Sequence, residues 1–564
     1  MKARYLNSSP AFAGEGDHPK GGGGAFRTPK NPSTMLRMVP LPRKSGGGIR
    51  LAFLLAPLVM GAAPPPQPVD LLMRGGTVYT GSEAPFTGDV AISGDRIRAV
   101  GRRLPVTARR VIDARGMIVA PGFIDPHTHM GDDLASDDPA RRLIPAFLMQ
   151  GVTTAFIGND GGGEIDVAKV LGGAAARPVG INYATYVGFG SVRRRVLGDS
   201  NRPPSESELK RMRGLVAGAM CQGAMGLSTG LFYSPQSFSK TGEVVALARE
   251  AGRRGGTYDS HLRDESSYTI GLAAAVDEAI AIGREGGLPV HISHIKALGV
   301  DVQGQALAII AKVDAARRSG LAVTADQYPW SASGTSLAAS LVPLWAQDGG
   351  RAKLIERFDD PALAGRLRGD MIENLRRRGG AAALLITEGA LNGRTLADIA
   401  KSRGEDAIAA AIAVIRDGDP AVASFNQTEP DIEAFMRRPW TMTGSDASTG
   451  HPRTYGSFAR KYSKYVVAER VLTLRRFIER SSTLTADTFH LDGRGHLKAG
   501  AFADIVVFDP KRYVARATYA QPALTAAGVR VVLVNGVLAV DNGALTGRAA
   551  GRALPHRPTP GTCP

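Results

Sequence analysis

The stretch FIDPHTH (123–129) stands directly behind an apolar, β-branched run, MIVAPG, that begins at Met117. On a strand, side chains at i and i+2 share a face. His127 and His129 are therefore placed to aim two imidazoles at one point. Paired neutral imidazoles invite a divalent metal. Other strand-like runs end in groups that could join them. Asp160 closes TTAFIGND, His261 closes GTYDSH, and His294 closes LPVHISH, with Lys296 two residues on. Asp446 closes WTMTGSD. Imidazoles and carboxylates in this number suit one or two divalent ions. Asp446, at the end of the last strand, can bind a metal or take a proton from water. His291 and His294 have opposite strand parity, so His294 is taken as the ligand and His291 as structural.

These groups need elements that bring them together. Eight strand-like runs cover 123–129, 153–160, 181–188, 224–230, 256–261, 288–294, 321–329 and 440–446, with helical patterns between several of them. That alternation predicts an α/β fold, a (β/α)8 barrel with its chemistry at the C-terminal ends of the strands. The barrel is expected over 119–494, with a helical insertion at about 336–438. The β-rich ends, 69–118 and 495–555, are expected to pair into a small β-sandwich.

The chain has 564 residues and a formal charge of +17. Part of the excess lies in the first 50 residues, which hold 9 Lys and Arg against 2 Asp and Glu. No zinc-finger spacing or aromatic-interleaved basic stripe accompanies it, so a nucleic-acid partner is not expected. Two cysteines, Cys221 and Cys563, exclude a disulfide framework, and Cys563, next to last, is expected to be disordered. Residues 1–68 read as a disordered leader with a Pro-rich linker, in which 38–63 has the basic, apolar and small-residue regions of a signal peptide. Its apolar part, Leu51 to Ala63, is too short for a stable membrane span. A periplasmic or secreted location follows as an expectation, with a cytoplasmic one as the alternative.

From about Val69 to Leu554 the chain resembles the amidohydrolase superfamily, specifically the N-acyl-D-amino-acid deacylases (D-aminoacylases). The resemblance rests on PGFIDPHTH (121–129), GAMGLSTGL (223–231), SHLRDE (260–265), HISHIKALG (291–299), GSDAS (444–448), HPRTYGSFAR (451–460) and GRGHLKAGAFADIVVFDP (493–510). It implies a metal-dependent barrel with a sandwich built from both chain ends, the metal being Zn2+ with Co2+ or Mn2+ as alternatives. It also implies hydrolysis of N-acyl-D-amino acids, small molecules with a free carboxylate, to a carboxylate and a D-amino acid. By match, His261 and His294 would hold the tight zinc, and Asp446 would bind it or act as base. His127 and His129 would line a second metal position. Lys296, Tyr328 and Arg453 are candidates for the substrate carboxylate, although Lys296 could instead be a carbamylated bridging ligand and Arg453 could brace its loop. The sequence departs from the family pattern in three strings. GNDG puts Asp160 where relatives carry a cysteine ligand, HTHMGDD has an insertion before Asp132, and YPWSASGT (328–335) alters a loop that helps hold substrate. Hydrolysis of dipeptides or cyclic amides is the alternative activity. A non-catalytic binding protein on this scaffold is a further one.

Overall fold

A computed structural model describes residues 68–563. Its barrel strands are Phe123–Asp125, Val152–Ile157, Asn182–Thr185 continued by Val187–Gly188, Gly226–Gly230, Thr257–His261, Val290–Ile292, Val323–Gln327 and Thr441–Thr443. Neighbouring strands pair in parallel and in chain order. The ring closes between its last and first members. Thr128 bridges Ala447, the Asp446 N–H donates to His127 O, and the His129 N–H donates to Ala447 O.

Covering helices explain why these strands are buried along their whole length. Glu206–Cys221, Thr241–Gly252, Leu272–Gly286 and Ala306–Arg318 turn apolar stripes onto the sheet and share one core with it. Sequence sets their ends. Ser205 and Glu208 form a capping box at the first, and Gly287 stops the third in the left-handed region at φ 69°. The inward face is polar. Asp259 accepts from Ser228 Oγ at 2.8 Å, Ser293 Oγ at 2.8 Å and Asn159 Nδ2 at 3.2 Å. This satisfied network ties four strand ends together beneath the site.

Both chain ends build a nine-stranded mixed sheet. Its strand Ile118–Pro121 pairs with Val69–Val78 on one side and Ile505–Phe508 on the other. Residues assigned to the barrel in the sequence reading thus belong to this sheet. The other boundary differs as well. After Ala544–Leu545 the chain leaves the sheet and runs along the barrel. There Gly551 N–H donates to Val179 O, Leu554 N–H to Tyr183 O and His556 N–H to Gly223 O. The run ends in a disulfide between Cys221 and Cys563. Cys563 is therefore an ordered anchor and not a loose end, because backbone hydrogen bonds carry the tail to the C-terminus of helix Glu206–Cys221.

The insertion between the seventh and eighth strands is a lobe with its own core. It is helical over Gly350–Asp359, Pro361–Arg377, Leu396–Arg403 and Ala407–Asp417. A three-stranded antiparallel sheet of Ala332–Ser336, Ala421–Phe425 and Leu384–Ile386 also belongs to it, and the sequence reading did not foresee this sheet. Such short strands have too few residues to show a period. No helix among the described residues is long and apolar enough to cross a membrane. The expected signal segment, 38–63, lies outside the described residues.

Candidate metal centre and substrate pocket

The strand ends bring the five expected metal donors together with Asp446 in two overlapping groups, His127, His129, Asp160 and Asp446, and Asp160, His261 and His294. Asp160 is common to both. Backbone geometry does much of this. Asp160, His294 and Asp446 all sit at positive φ, 55°, 34° and 50°. Non-glycine residues seldom adopt that region, and functional sites are where such strain persists. At His294 the kink breaks strand parity. His294 therefore joins the mouth, while His291 stays below and bonds Thr324 Oγ1 at 2.9 Å and Asp326 Oδ2 at 3.0 Å.

The donor spacing fits a divalent ion. Asp160 Oδ1 lies 3.4 Å from His127 Nε2 and 3.5 Å from His294 Nε2. Asp160 Oδ2 lies 3.6 Å from His261 Nδ1 and 3.5 Å from His129 Nε2. Asp446 Oδ1 lies 3.6 Å from His127 Nε2 and 3.2 Å from His129 Nε2. A tetrahedron with metal–ligand bonds of about 2.0–2.2 Å has edges of about 3.3–3.6 Å. His127 Nε2 and Asp160 Oδ1 are buried without a hydrogen-bond partner. Each such atom costs about 1–3 kcal/mol unless something fills the gap. Aspartate in place of the family's cysteine ligand thus still completes a donor set.

The surroundings hold these groups in opposed charge states. Burial disfavours a charged Asp160, but the His127, His261 and His294 imidazoles keep its carboxyl well below the usual range. Burial is likewise outweighed at Asp446, where Arg453 and His294 keep the carboxylate ionised. At His294, burial and Lys296 oppose protonation, yet Glu265, Asp446 and Asp160 lift it to about 10. At His129, burial is overcome by Asp160 and Asp446, and the ring rises to about 9. Burial dominates at His261 and lowers it.

Groups behind the donors orient them, as the outer partners of metal ligands do. Glu265 was missed in the sequence reading, although it closes the SHLRDE string. Its Oε1 lies 3.2 Å from His294 Nδ1 and its Oε2 3.7 Å from His261 Nε2. Asp326 Oδ2 stands 3.8 Å from His127 Nδ1.

His129, Asp160, His261, His294 and Asp446 line a pocket of about 400 Å³, and Lys296, Tyr328 and Arg453 line it too. Tyr328 lies between the two cations, with Lys296 Nζ 5.7 Å and the Arg453 guanidinium 5.1 Å from its ring centre. Its hydroxyl accepts from Gln427 Nε2 at 3.0 Å. Lys296 Nζ donates to Glu265 Oε1 at 2.6 Å and lies 2.7 Å from His294 Nδ1. Arg453 Nη1 reaches Asp446 Oδ2 at 2.6 Å, and Nη2 donates to Ser448 Oγ at 2.9 Å. The altered YPWSASGT loop passes directly over this guanidinium, since a Cβ on Gly334 would stand 2.9 Å from Arg453 Nη2. Phe232, Tyr233, Tyr268 and Leu298 add an apolar wall.

A barrel with imidazole and carboxylate donors at its strand ends, beside a sheet made from both chain ends, defines a metal-dependent hydrolase of the amidohydrolase type. Comparison with known proteins narrows this. The amidohydrolase family model matches residues 168–540. A D-aminoacylase of Alcaligenes xylosoxydans xylosoxydans is 34% identical over 521 residues, covering 86% of this chain and 98% of that protein. The solved N-acyl-D-glutamate deacylase of Bordetella bronchiseptica, complexed with zinc and a phosphonate mimic of the tetrahedral intermediate, superposes with a TM-score of 0.74 at 30% identity. That match covers 87% of this chain and 100% of the other. A D-aminoacylase solved for the role of its binuclear metal centre gives the same TM-score at 31% identity and the same coverage. The chain belongs to the amidohydrolase family, in its D-aminoacylase and N-acyl-D-glutamate deacylase branch.

Proposed function

We propose that this protein hydrolyses the amide bond of N-acyl-D-amino acids, releasing a carboxylate and a free D-amino acid. The observation that carries the reading is the meeting, in one pocket, of two donor groups sharing Asp160 with a carboxylate-binding set of Lys296, Tyr328 and Arg453. The three relatives named above are two D-aminoacylases and an N-acyl-D-glutamate deacylase, and the last is complexed with zinc. Zinc is accordingly the proposed metal, with His261, His294 and Asp160 holding one ion and His127, His129, Asp160 and Asp446 able to hold a second. A metal bound there would supply Lewis acidity to polarise an acyl carbonyl and acidify water.

The chain's own groups do the rest. Asp446, ionised and facing the donors, takes a proton from the attacking water and returns it to the leaving amine. Arg453, Lys296 and the Tyr328 hydroxyl fix the substrate carboxylate, which orients the scissile bond. Glu265 keeps the His261 and His294 rings turned to their ion. The aromatic wall of Phe232 and Tyr233 receives the acyl group and keeps water out.

Export to an oxidising compartment is part of the proposal. It is supported by the signal-like segment 38–63 and by the Cys221–Cys563 pair, since disulfides persist outside the reducing cytosol. The deciding experiment is elemental analysis of the purified protein, run beside a hydrolysis panel of N-acyl-D- and L-amino acids, dipeptides and hydantoins. One or two zinc ions per chain with D-selective amino-acid release is the expected result. Metal without release from any acyl-D-amino acid would end the reading.

A further inference from the structure

We propose that Arg378 forms a second anion subsite, so that the preferred substrate carries a carboxylate beyond the one on its chiral carbon. The proposal rests on the deacylase reading above and specifies its substrate class. Arg378 stands just after helix Pro361–Arg377 of the inserted lobe and lines the same pocket as the metal donors. The lobe is tied down at this point. Val300 N–H donates to Arg377 O, and Gly299 permits the approach, because a Cβ there would stand 2.3 Å from that oxygen.

Charge bookkeeping in the pocket singles Arg378 out. Lys296 has Glu265 as its counter-ion and Arg453 has Asp446. The helical neighbours Arg376 and Arg377 pair with Glu373, and Arg376 also with Asp301. Among the described residues, no carboxylate comes within ion-pair reach of Arg378. Yet its exposure is only 2%, and its Nη1 is buried with no hydrogen-bond partner. Its Nε donates to Tyr268 Oη at 2.5 Å, which holds the guanidinium plane and leaves the forked end free. A buried guanidinium with an open fork in a substrate pocket is suited to a carboxylate. Glu388, an acid that also lines the pocket, argues less for a cationic substrate. It is half-buried and already accepts from Ala421 N–H at 3.2 Å.

The second carboxylate can sit on the amino-acid side chain or on the acyl group, and four substrates separate these sources. They are N-acetyl-D-glutamate, N-acetyl-D-glutamine, N-succinyl-D-leucine and N-acetyl-D-leucine, assayed with the metal-loaded full chain. The expected result is a preference of about tenfold or more for one dicarboxylate over its neutral partner, mainly through KM. Glutamate over glutamine places the group on the side chain, and succinyl over acetyl places it on the acyl arm. Arg378→Gln should bring that ratio close to one, and Arg378→Lys should restore part of it. Should the variants fail to fold, competitive inhibition of the wild type by glutarate against butyrate reads the same subsite. Equal use of charged and neutral substrates, with equal inhibition by the two acids, overturns the proposal. Release of no D-amino acid from any of the four overturns the deacylase reading, and this proposal with it.

Discussion

Arg453 Nη1 lies 2.6 Å from Asp446 Oδ2, while Asp446 Oδ1 faces His129 Nε2 at 3.2 Å. One carboxylate thus joins the cation proposed to bind substrate to the proposed metal donors. The pairing holds Asp446 ionised, and it places the proposed base beside the group that receives the substrate carboxylate.

Asp446→Asn keeps the shape and removes the proton acceptor. We expect kcat to fall by about 10²–10⁴-fold, the usual contribution of a positioned general base. Asp160, His261 and His294 remain, so one tightly held ion should stay. Steady-state kinetics and elemental analysis of one preparation check both halves, and wild-type kcat in the variant would remove Asp446 as the base.

Arg453→Gln should raise KM by about tenfold to hundredfold, the equivalent of one charge-assisted hydrogen bond at ~1.5–3 kcal/mol. Gly334→Ala should move KM in the same direction by less, because its methyl group presses on the Arg453 guanidinium. An unchanged KM in Arg453→Gln would show that Arg453 braces its loop and does not bind substrate.

Glu265→Gln leaves every metal donor in place but loosens the orientation of His261 and His294. A loss of about 10–100-fold in metal affinity is expected, as is usual for outer partners of ligating histidines. Competition with a chromophoric chelator measures it. Affinity equal to wild type would confine Glu265 to its pairing with Lys296.

The metal-free protein should lose stability as the solution becomes alkaline. His294 is raised to about 10 and His129 to about 9 in the folded chain. A group raised above its unfolded value near ~6.5 stabilises fully below that value. The contribution then disappears as pH climbs through 9 to 10. The Tm of chelator-treated protein should therefore fall from pH 6.5 towards pH 10, and metal-loaded protein should show a flatter profile. Metal binding near neutral pH should release protons, which calorimetry in two buffers of different ionisation enthalpy detects. Parallel Tm profiles for the two forms would contradict this account.

Cys221→Ser should free the C-terminal strap and cost about 2–4 kcal/mol of stability. Denaturant unfolding of wild type and variant gives the difference. Peptide mapping without reductant should recover the linked Cys221 and Cys563 peptides from the purified protein, and free thiols at both positions would show that the pair does not form.

The sequence by itself determined the eight barrel strands and the six candidate groups at their ends, because strand period and strand-end chemistry are local. His127 and His129 are legible from parity alone, and Asp160, His261, His294 and Asp446 from their place behind apolar runs. The family motifs supplied Lys296, Tyr328 and Arg453. Tertiary structure alone decided what depends on residues far apart in the chain or on backbone sign. Positive φ at Asp160, His294 and Asp446 turns three side chains into one mouth, and no periodic pattern announces it. Glu265 became an orienting group only when the ends of two strands met. Arg378 and Cys563 read as a charge in a basic helix and a residue near a chain end. Folding of the lobe and the strap places one in the pocket and the other against the barrel. Burial and long-range hydrogen bonds give such residues their roles, and those are properties of the packed chain.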